Sequence, residues 1–262
     1  MSDVAGPEGK PENKPENKPD EPRRRPEARP PGKRLFVGAR ISVATANALA
    51  GAAQTLARRA RDAGIDIRWL PPASYHVTLR FLGWTRAEAI GAVRDGLEAA
   101  AVGIQPLSFR TARLGAFASL ERATAVWAGV EAPAPLAELA RRVEAACAGL
   151  GYAPERRAFH PHVTIGRLRE ARAIREVVLP LAEQMFGDTA LDTITLFESE
   201  TKSTGSIYRE LHKIRLESRS GAPVSGPERQ SPPVQLAASP ALEPDTDDGW
   251  PRGQGPNTEH DV

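Results

Sequence analysis

A four-residue pattern occurs twice in this 262-residue chain and limits the folds that the chain can adopt. Residues 76–79 read His-Val-Thr-Leu, and residues 162–165 read His-Val-Thr-Ile. Because side chains of a β-strand alternate between its two faces, the histidine and threonine of each copy share one face, while the two apolar residues share the other. Each copy therefore predicts a half-buried strand that presents an imidazole and a hydroxyl side by side.

The elements predicted around the two copies are partly repeated, in the order β-α-β-α-β-β-α-β-α-β-β. In the first half, Gly83 is expected to end a strand, and Thr85-x-x-Glu88 to form the capping box of the next helix. Strands are expected at 33–39, 75–81, 106–117, 124–131, 162–167, 191–199 and 206–217, and helices at 41–63, 85–101, 136–150 and 170–185. This pattern indicates an α+β fold with two similar lobes and antiparallel sheets.

Proline marks the limits of the predicted folded region. Of the 24 prolines, eight lie in residues 1–32 and eight in residues 219–262. Neither segment has enough apolar residues to offset its ordering entropy, so both are predicted to be disordered tails around a domain at residues 33–218. The first tail is neutral and the second carries −4, so in a chain of net charge +2 the domain carries +6. A basic domain favours a phosphate-bearing substrate.

The remaining composition indicates the cellular setting. No stretch approaches the roughly 18–20 consecutive apolar residues of a membrane span, and the N-terminus lacks the apolar core of a secretory signal. The single cysteine, Cys147, excludes an internal disulfide and a thiolate zinc cluster, and its place on an apolar helical stripe predicts a core residue. We therefore expect a cytoplasmic protein that does not bind a membrane. Because no long apolar face is left over, we also expect a monomer.

Two His-x-Thr pairs that face each other across a cleft would form a phosphodiester site. One imidazole can take a proton from water while the other gives a proton to the leaving ribose oxygen, and histidine suits both roles because its unperturbed pKa is about 6.5. Thr78 and Thr164 can hold phosphate oxygens, and nearby arginines can stabilise charge, so no metal or other cofactor is needed. His76 and His162 are thus the candidate catalytic residues.

Several nearby residues admit two interpretations each. Arg80 and Arg167 follow the two copies and either bind phosphate or are solvated charges on a strand. Phe36, Trp69 and Tyr208 either stack on a base or pack in the core. One His-x-Thr copy alone would indicate an ordinary polar face, but two copies 86 residues apart in a partly repeated chain favour a catalytic pair.

The other histidines are less informative. His160 forms a His-Pro-His sequence with His162, which suggests a metal pair, but Pro161 restricts its geometry and no acidic residue or cysteine lies nearby at ligand spacing. His212 lies in a late strand without a partner motif, and His260 lies in the predicted C-terminal tail. Neither is assigned to the site.

On these motifs the chain resembles the 2H phosphoesterases, and in particular the bacterial and archaeal RNA 2′,3′-cyclic phosphodiesterases once named 2′-5′ RNA ligases. The second motif ends in Ile-Gly-Arg where Leu-Ala-Arg is common, which keeps the arginine. The matching segments keep the family's order and are KRLFVGARI (33–41), IRWLPPASYHVTLRFLG (67–83), LGAF (114–117), AVWAGV (125–130), FHPHVTIGR (159–167) and LFESETKSTGSIYRELHKIRL (196–216).

The resemblance implies two lobes with helices on the outside and one motif from each lobe lining a central cleft. It implies metal-independent hydrolysis of a terminal RNA 2′,3′-cyclic phosphate to a 2′-phosphate, with weak 2′-5′ joining of RNA ends as the reverse reaction. In these roles His76 is the proton donor to the leaving 3′ oxygen and His162 is the proton acceptor that activates water. Thr78 and Thr164 hold the phosphate.

Two other functions remain open at this point. One is a related enzyme that acts on 2′-5′ oligonucleotides or on a small cyclic nucleotide phosphate. The other is a non-catalytic RNA-binding module on the same fold, which the two intact motifs disfavour, because binding alone would require neither imidazole. RNA with a 2′,3′-cyclic phosphate end is the expected partner.

Overall fold

The computed structural model of the chain describes residues 30–131, 133–202 and 205–216. The two predicted tails lie outside these ranges, apart from residues 30–32, and Gly32 already belongs to the first strand. Within the described ranges, no helix combines the length and the apolarity that a membrane crossing requires.

Nine strands and four α-helices follow one another along the described ranges. The strands are β1 (Gly32–Arg40), β2 (Arg68–Trp69), β3 (His76–Arg86), β4 (Leu107–Phe117), β5 (Ala123–Glu131), β6 (His162–Arg172), β7 (Met185–Leu191), β8 (Thr193–Lys202) and β9 (Gly205–Arg215). The helices are α1 (Val43–Asp62), α2 (Ile90–Ala101), α3 (Ala134–Gly149) and α4 (Arg175–Val178). The strands form one antiparallel sheet in the order β7-β4-β5-β6-β3-β1-β8-β9, and β2 pairs with β6 beside this path. The predicted α+β class is confirmed.

The sheet consists of two four-stranded halves. The first half contains β1, β3, β8 and β9, and the second contains β4, β5, β6 and β7. The halves join where β3 meets β6, through the pairing of Val77 with Val163. These two residues, which we call the seam valines, are the second residues of the two repeated motifs. The motifs therefore lie where the two halves meet.

All four helices pack on one face of the sheet. Their apolar stripes meet the inward strand residues in one core, in which both seam valines are fully buried. Cys147 of α3 belongs to this core, as predicted. α1 begins after Ser42, whose hydroxyl accepts a hydrogen bond from the Thr45 backbone N–H and satisfies an amide of the first turn.

The opposite face carries a smaller apolar cluster. We call it the motif face, because His76, Thr78, His162 and Thr164 project from it. Its cluster consists of Phe36 and Phe197, with Phe81 and Tyr208 packed against them. The sheet therefore separates the core that stabilises the fold from the aromatic side chains that surround the motifs.

The helix predicted at 170–185 is wrong for most of its length. β6 continues to Arg172 because that residue pairs with Ala123 of β5, and α4 has only four residues. Pro180 has neither the N–H nor the space that a helix interior requires, so the chain continues as a single 3-10 turn, Leu179–Leu181. The next strand, β7, has no counterpart among the predicted strands and pairs with β4. The two-residue strand β2 was not predicted either.

Two predicted boundaries in the first half are also wrong. Gly83 lies inside β3, where its positive φ of 71° fits a bulge in the pairing with β1. Thr85 is therefore still a strand residue, and its buried hydroxyl accepts a hydrogen bond from the Tyr152 hydroxyl instead of capping a helix. α2 begins later, after a short 3-10 turn at Ala87–Ala89.

Candidate active site

His76 and His162 begin equivalent strands and are held in the same way. Nδ1 of His76 lies 2.7 Å from the Ser74 carbonyl oxygen, and Nδ1 of His162 lies 2.7 Å from the His160 carbonyl oxygen. Because a carbonyl oxygen only accepts, each Nδ1 carries a proton and donates it. This bond fixes the tautomer of each neutral ring and leaves each Nε2 to take or give a proton.

The register at the seam brings the four motif side chains together. The seam valines pair directly and point into the core, so the residues that flank them point to the motif face. Antiparallel pairing then puts His76 and Thr164 on one side of the valine pair, and Thr78 and His162 on the other. Each histidine is thus placed beside the threonine of the other copy.

Aromatic side chains of the first half enclose His76. The neighbouring rings are those of Phe36, Tyr208 and Phe197, at centroid distances of 4.7, 5.1 and 6.0 Å. Gly38 of β1 leaves space for the imidazole, since a Cβ there would lie 3.3 Å from its Cδ2 atom. Packing, as well as the carbonyl bond, therefore orients His76.

His162 has a different set of neighbours in the second half. They are the rings of Phe117, His160 and Trp127, at centroid distances of 4.8, 6.0 and 6.3 Å. Gly115 of β4 pairs with Trp127, and a Cβ at Gly115 would collide with the indole. The indole therefore lies over the glycine and forms a wall beside His162.

Burial lowers the pKa of both histidines from 6.5 to about 4. The carbonyl bonds oppose this change, while electrostatic interactions with neighbouring basic groups add to it: Arg40 and Arg167 at His76, and His160, His76 and Arg167 at His162. Both imidazoles are consequently neutral at neutral pH when no substrate is bound. A bound anionic phosphate would raise the pKa of an adjacent histidine, because it stabilises the imidazolium form.

Arg167 lies near both halves of the site. Its charge lowers the pKa of both histidines and opposes the rise in pKa that burial gives Tyr208. Arg167 reaches this position because β6 has a bulge, where its pairing with β5 skips Ile165. The extra residue returns Arg167 to the face from which Thr164 projects. The structure therefore brings this predicted phosphate ligand to the motifs.

Arg80 does not reach the motif face, so its predicted contact with phosphate is wrong. β3 bulges where its pairing with β1 skips Leu79, and Arg80 consequently turns toward the helices. Its side chain is only 6% exposed, and its Nε lies 2.6 Å from a carboxylate oxygen of Glu144 on α3. It also donates a hydrogen bond to the Ala153 carbonyl. Arg80 is therefore a buried structural ion-pair residue.

The three aromatic candidates for base stacking differ in burial and in their neighbours. Phe36 is 1% exposed and stacks on Phe197, so it has no free face for a base and the predicted contact is wrong. Trp69 packs against the helix-side core beside Gly166. Tyr208 is half-buried and meets the His76 ring edge-on, which keeps it a candidate for substrate contact.

The structure also shows the contacts of His160 and His212. His160 packs edge-on against Trp127 at 5.3 Å between centroids, while its carbonyl orients His162. The described residues contain no group of three or more metal-ligating side chains. Nε2 of His212 lies 2.7 Å from Glu98 of α2. His260 lies outside the described residues.

The sequence did not identify several residues that shape the site. Phe117, Trp127 and Phe197 were not among the candidates, nor were the two carbonyl groups that hold the imidazoles. Strand alternation gives the face of each aromatic residue, but only the strand order shows which rings meet.

Residues 46–202 match the family model of the 2′-5′ RNA ligase superfamily, which is more than half of the chain and contains both histidine motifs. The chain belongs to this superfamily of 2H phosphoesterases, as its resemblance predicted.

Curated relatives carry the name RNA 2′,3′-cyclic phosphodiesterase. That of Aeropyrum pernix is 29% identical over 156 residues, which cover 58% of this chain and 88% of the relative. That of Aquifex aeolicus is 31% identical over 160 residues, which cover 59% and 85%. Among solved structures, TT0787 of Thermus thermophilus aligns with a TM-score of 0.61 and 25% identity, over 71% of this chain and 100% of that chain.

Proposed function

We propose that this protein hydrolyses the 2′,3′-cyclic phosphate at the 3′ end of RNA and leaves a 2′-phosphate. The observation that carries the proposal is the repeated support of His76 and His162, in which each Nδ1 is bound to a carbonyl and each Nε2 is left for chemistry beside the seam. The names of the curated relatives support the substrate class.

In the proposed reaction, His162 takes a proton from water as the water oxygen bonds to phosphorus. His76, protonated, gives its Nε2 proton to the 3′ oxygen as the bond between phosphorus and that oxygen breaks. The choice of acid and base follows the family resemblance. Because burial holds the pKa of His76 low, the anionic phosphate must be what favours its charged form. Each proton transfer contributes about 10²–10⁴ in rate.

Thr78, Thr164 and Arg167 are proposed to hold the phosphate. The hydroxyls donate to non-bridging oxygens, and the guanidinium offsets their charge in the transition state. These donors replace the charge that a metal would supply, so we propose metal-independent catalysis. With a 5′-hydroxyl in place of water, the same proton transfers would form a 2′-5′ bond, which accounts for weak ligation.

A product assay tests the proposal. The purified protein is incubated, with EDTA present, with an RNA that ends in a 2′,3′-cyclic phosphate, and the terminal phosphate is identified. A 2′-phosphate is expected. A 3′-phosphate would retain two-histidine catalysis but reverse which oxygen leaves. Activity that EDTA abolishes and a divalent metal restores would overturn metal independence. No reaction by the folded protein would overturn the proposed function.

A further inference from the structure

A second arginine lies beside Arg167 on the motif face. The short strand β2 pairs with β6 so that Arg68 is directly opposite Arg167 and Trp69 is opposite Gly166. Ile67 is buried, and Trp69 packs into the helix-side core in the space that Gly166 leaves. Because strand residues alternate, Arg68 projects to the face from which Arg167 projects.

Two like charges directly opposite each other on neighbouring strands repel each other and destabilise the pairing. Arg68 is exposed, and no carboxylate of the described residues lies within ion-pair distance of it. Other strand arginines do have such partners: Arg40 with Glu210, Arg113 with Glu131, and Arg209 with Glu200. Since no group of the described residues neutralises Arg68, an anionic ligand is the group that would pair with it.

The position of Arg68 fits a second phosphate rather than the reacting one. Arg167 follows Thr164 by three residues, at most about 10 Å of extended strand, and its charge acts on both histidines. Arg68 lies on β2, the strand next to β6, and its charge acts on Tyr208 but is not among the charges that act on either histidine. Arg167 therefore acts on the motif histidines directly, and Arg68 lies beside Arg167 on the neighbouring strand.

We propose that Arg68 binds the phosphodiester that joins the terminal nucleotide to the nucleotide before it. This inference rests on the proposed function, because it places the reacting cyclic phosphate at the two motifs. It assigns to Arg68 the selection of RNA ends over free nucleoside 2′,3′-cyclic phosphates, which have no such phosphodiester.

The test compares two substrates with the same terminal base: a short oligoribonucleotide ending in a 2′,3′-cyclic phosphate, and the corresponding nucleoside 2′,3′-cyclic phosphate. R68A should lower kcat/KM for the oligonucleotide about tenfold, mainly through KM, and leave the mononucleotide within about twofold. The slope of log kcat/KM against log salt for the oligonucleotide should become shallower by about 0.7, the value for one contact with a single strand.

A modified substrate identifies the phosphate itself. Replacing the last phosphodiester of the oligonucleotide with an uncharged methylphosphonate should reduce kcat/KM of the unsubstituted protein by a similar factor. The same replacement should have little effect on R68A, because the contact is already lost. R58A is the matched control: Arg58 is exposed on α1, on the helix side of the sheet, where it donates a hydrogen bond to the Thr55 hydroxyl. It should leave both substrates unchanged.

The outcomes separate this proposal from the proposed function. If the unsubstituted protein cleaves neither substrate, the proposed function fails. If it cleaves both, but R68A weakens both equally or neither, the Arg68 subsite is overturned while the hydrolase remains. A methylphosphonate effect that persists in R68A would assign that phosphate to another residue.

Discussion

In the first half of the sheet, His76 lies among Phe36, Tyr208 and Phe197, whereas in the second half His162 lies beside Phe117, Trp127 and another histidine. The backbone bond at Nδ1 is nevertheless the same in both halves, at 2.7 Å. The comparison shows that the backbone support of the imidazole is repeated while its surroundings differ. Two imidazoles held in the same way are what the proposed acid and base require.

The two halves also differ in where the arginine that follows each motif lies. Both β3 and β6 bulge after their threonine, so the fourth residue after each histidine turns toward the helices and the fifth returns to the motif face. The first half has Arg80 at the fourth position, while the second has Arg167 at the fifth. One arginine consequently stabilises the fold and the other faces the site.

Removing either imidazole should have the largest effect. His76→Ala and His162→Ala should each lower turnover by about 10²–10⁴-fold, because one proton transfer loses its group. The double substitution should cost little more, since the two histidines act as a unit. Initial rates on RNA with a cyclic phosphate end measure this, and RNA binding is the control. Wild-type turnover in either single variant would show that the histidine of that half is not needed for catalysis.

The two arginines should separate stability from activity. Arg80→Ala should lower the free energy of unfolding by about 1.5–3 kcal/mol, because it removes the buried guanidinium that pairs with the partly exposed Glu144. Arg167→Ala should change stability by less than about 1 kcal/mol but lower kcat/KM by about 10–100-fold. Urea unfolding and steady-state rates measure both quantities. The opposite pattern would mean that the bulges do not orient these side chains as described.

The threonines test whether the halves share the phosphate equally. Thr78→Val and Thr164→Val remove a hydroxyl but keep its shape, and each should lower kcat/KM about tenfold through loss of one hydrogen bond to a charged group. Thr55→Val on α1 is the matched control and should have no effect. A large loss in only one of the two motif variants would show that a single half holds the phosphate.

The smallest expected effect is a displacement between pH profiles. The profile of kcat/KM reports the free enzyme, in which the pKa of each histidine is about 4, while the profile of kcat reports the complex. Bound phosphate raises the pKa of the adjacent imidazole, so the kcat profile should lie at higher pH by roughly one unit or more. Coincident profiles centred near neutral pH would contradict the depressed pKa values.

Alternation along the two motif strands was sufficient to predict that His76 and Thr78, and likewise His162 and Thr164, share a face. Alternation did not predict the face on which Arg80 lies, because a bulge depends on how the neighbouring strand pairs. The helix predicted over 170–185 shows the same limit, since pairing with β5 and β4 overrides a helix-forming composition. The aromatic walls also depend on strand order, which local patterns do not contain.

The strand order has a consequence for how the chain can fold while it is being synthesised. All strands of the second half come from one continuous stretch, Leu107–Leu191, whereas the first half combines both ends of the described chain. β1 pairs with β8 across about 160 residues, as in Leu35 with Glu198. The first half therefore cannot be completed until the last strands leave the ribosome. By then the second half has every strand it needs, and its edge at β6 can serve as the template on which the earlier strands assemble.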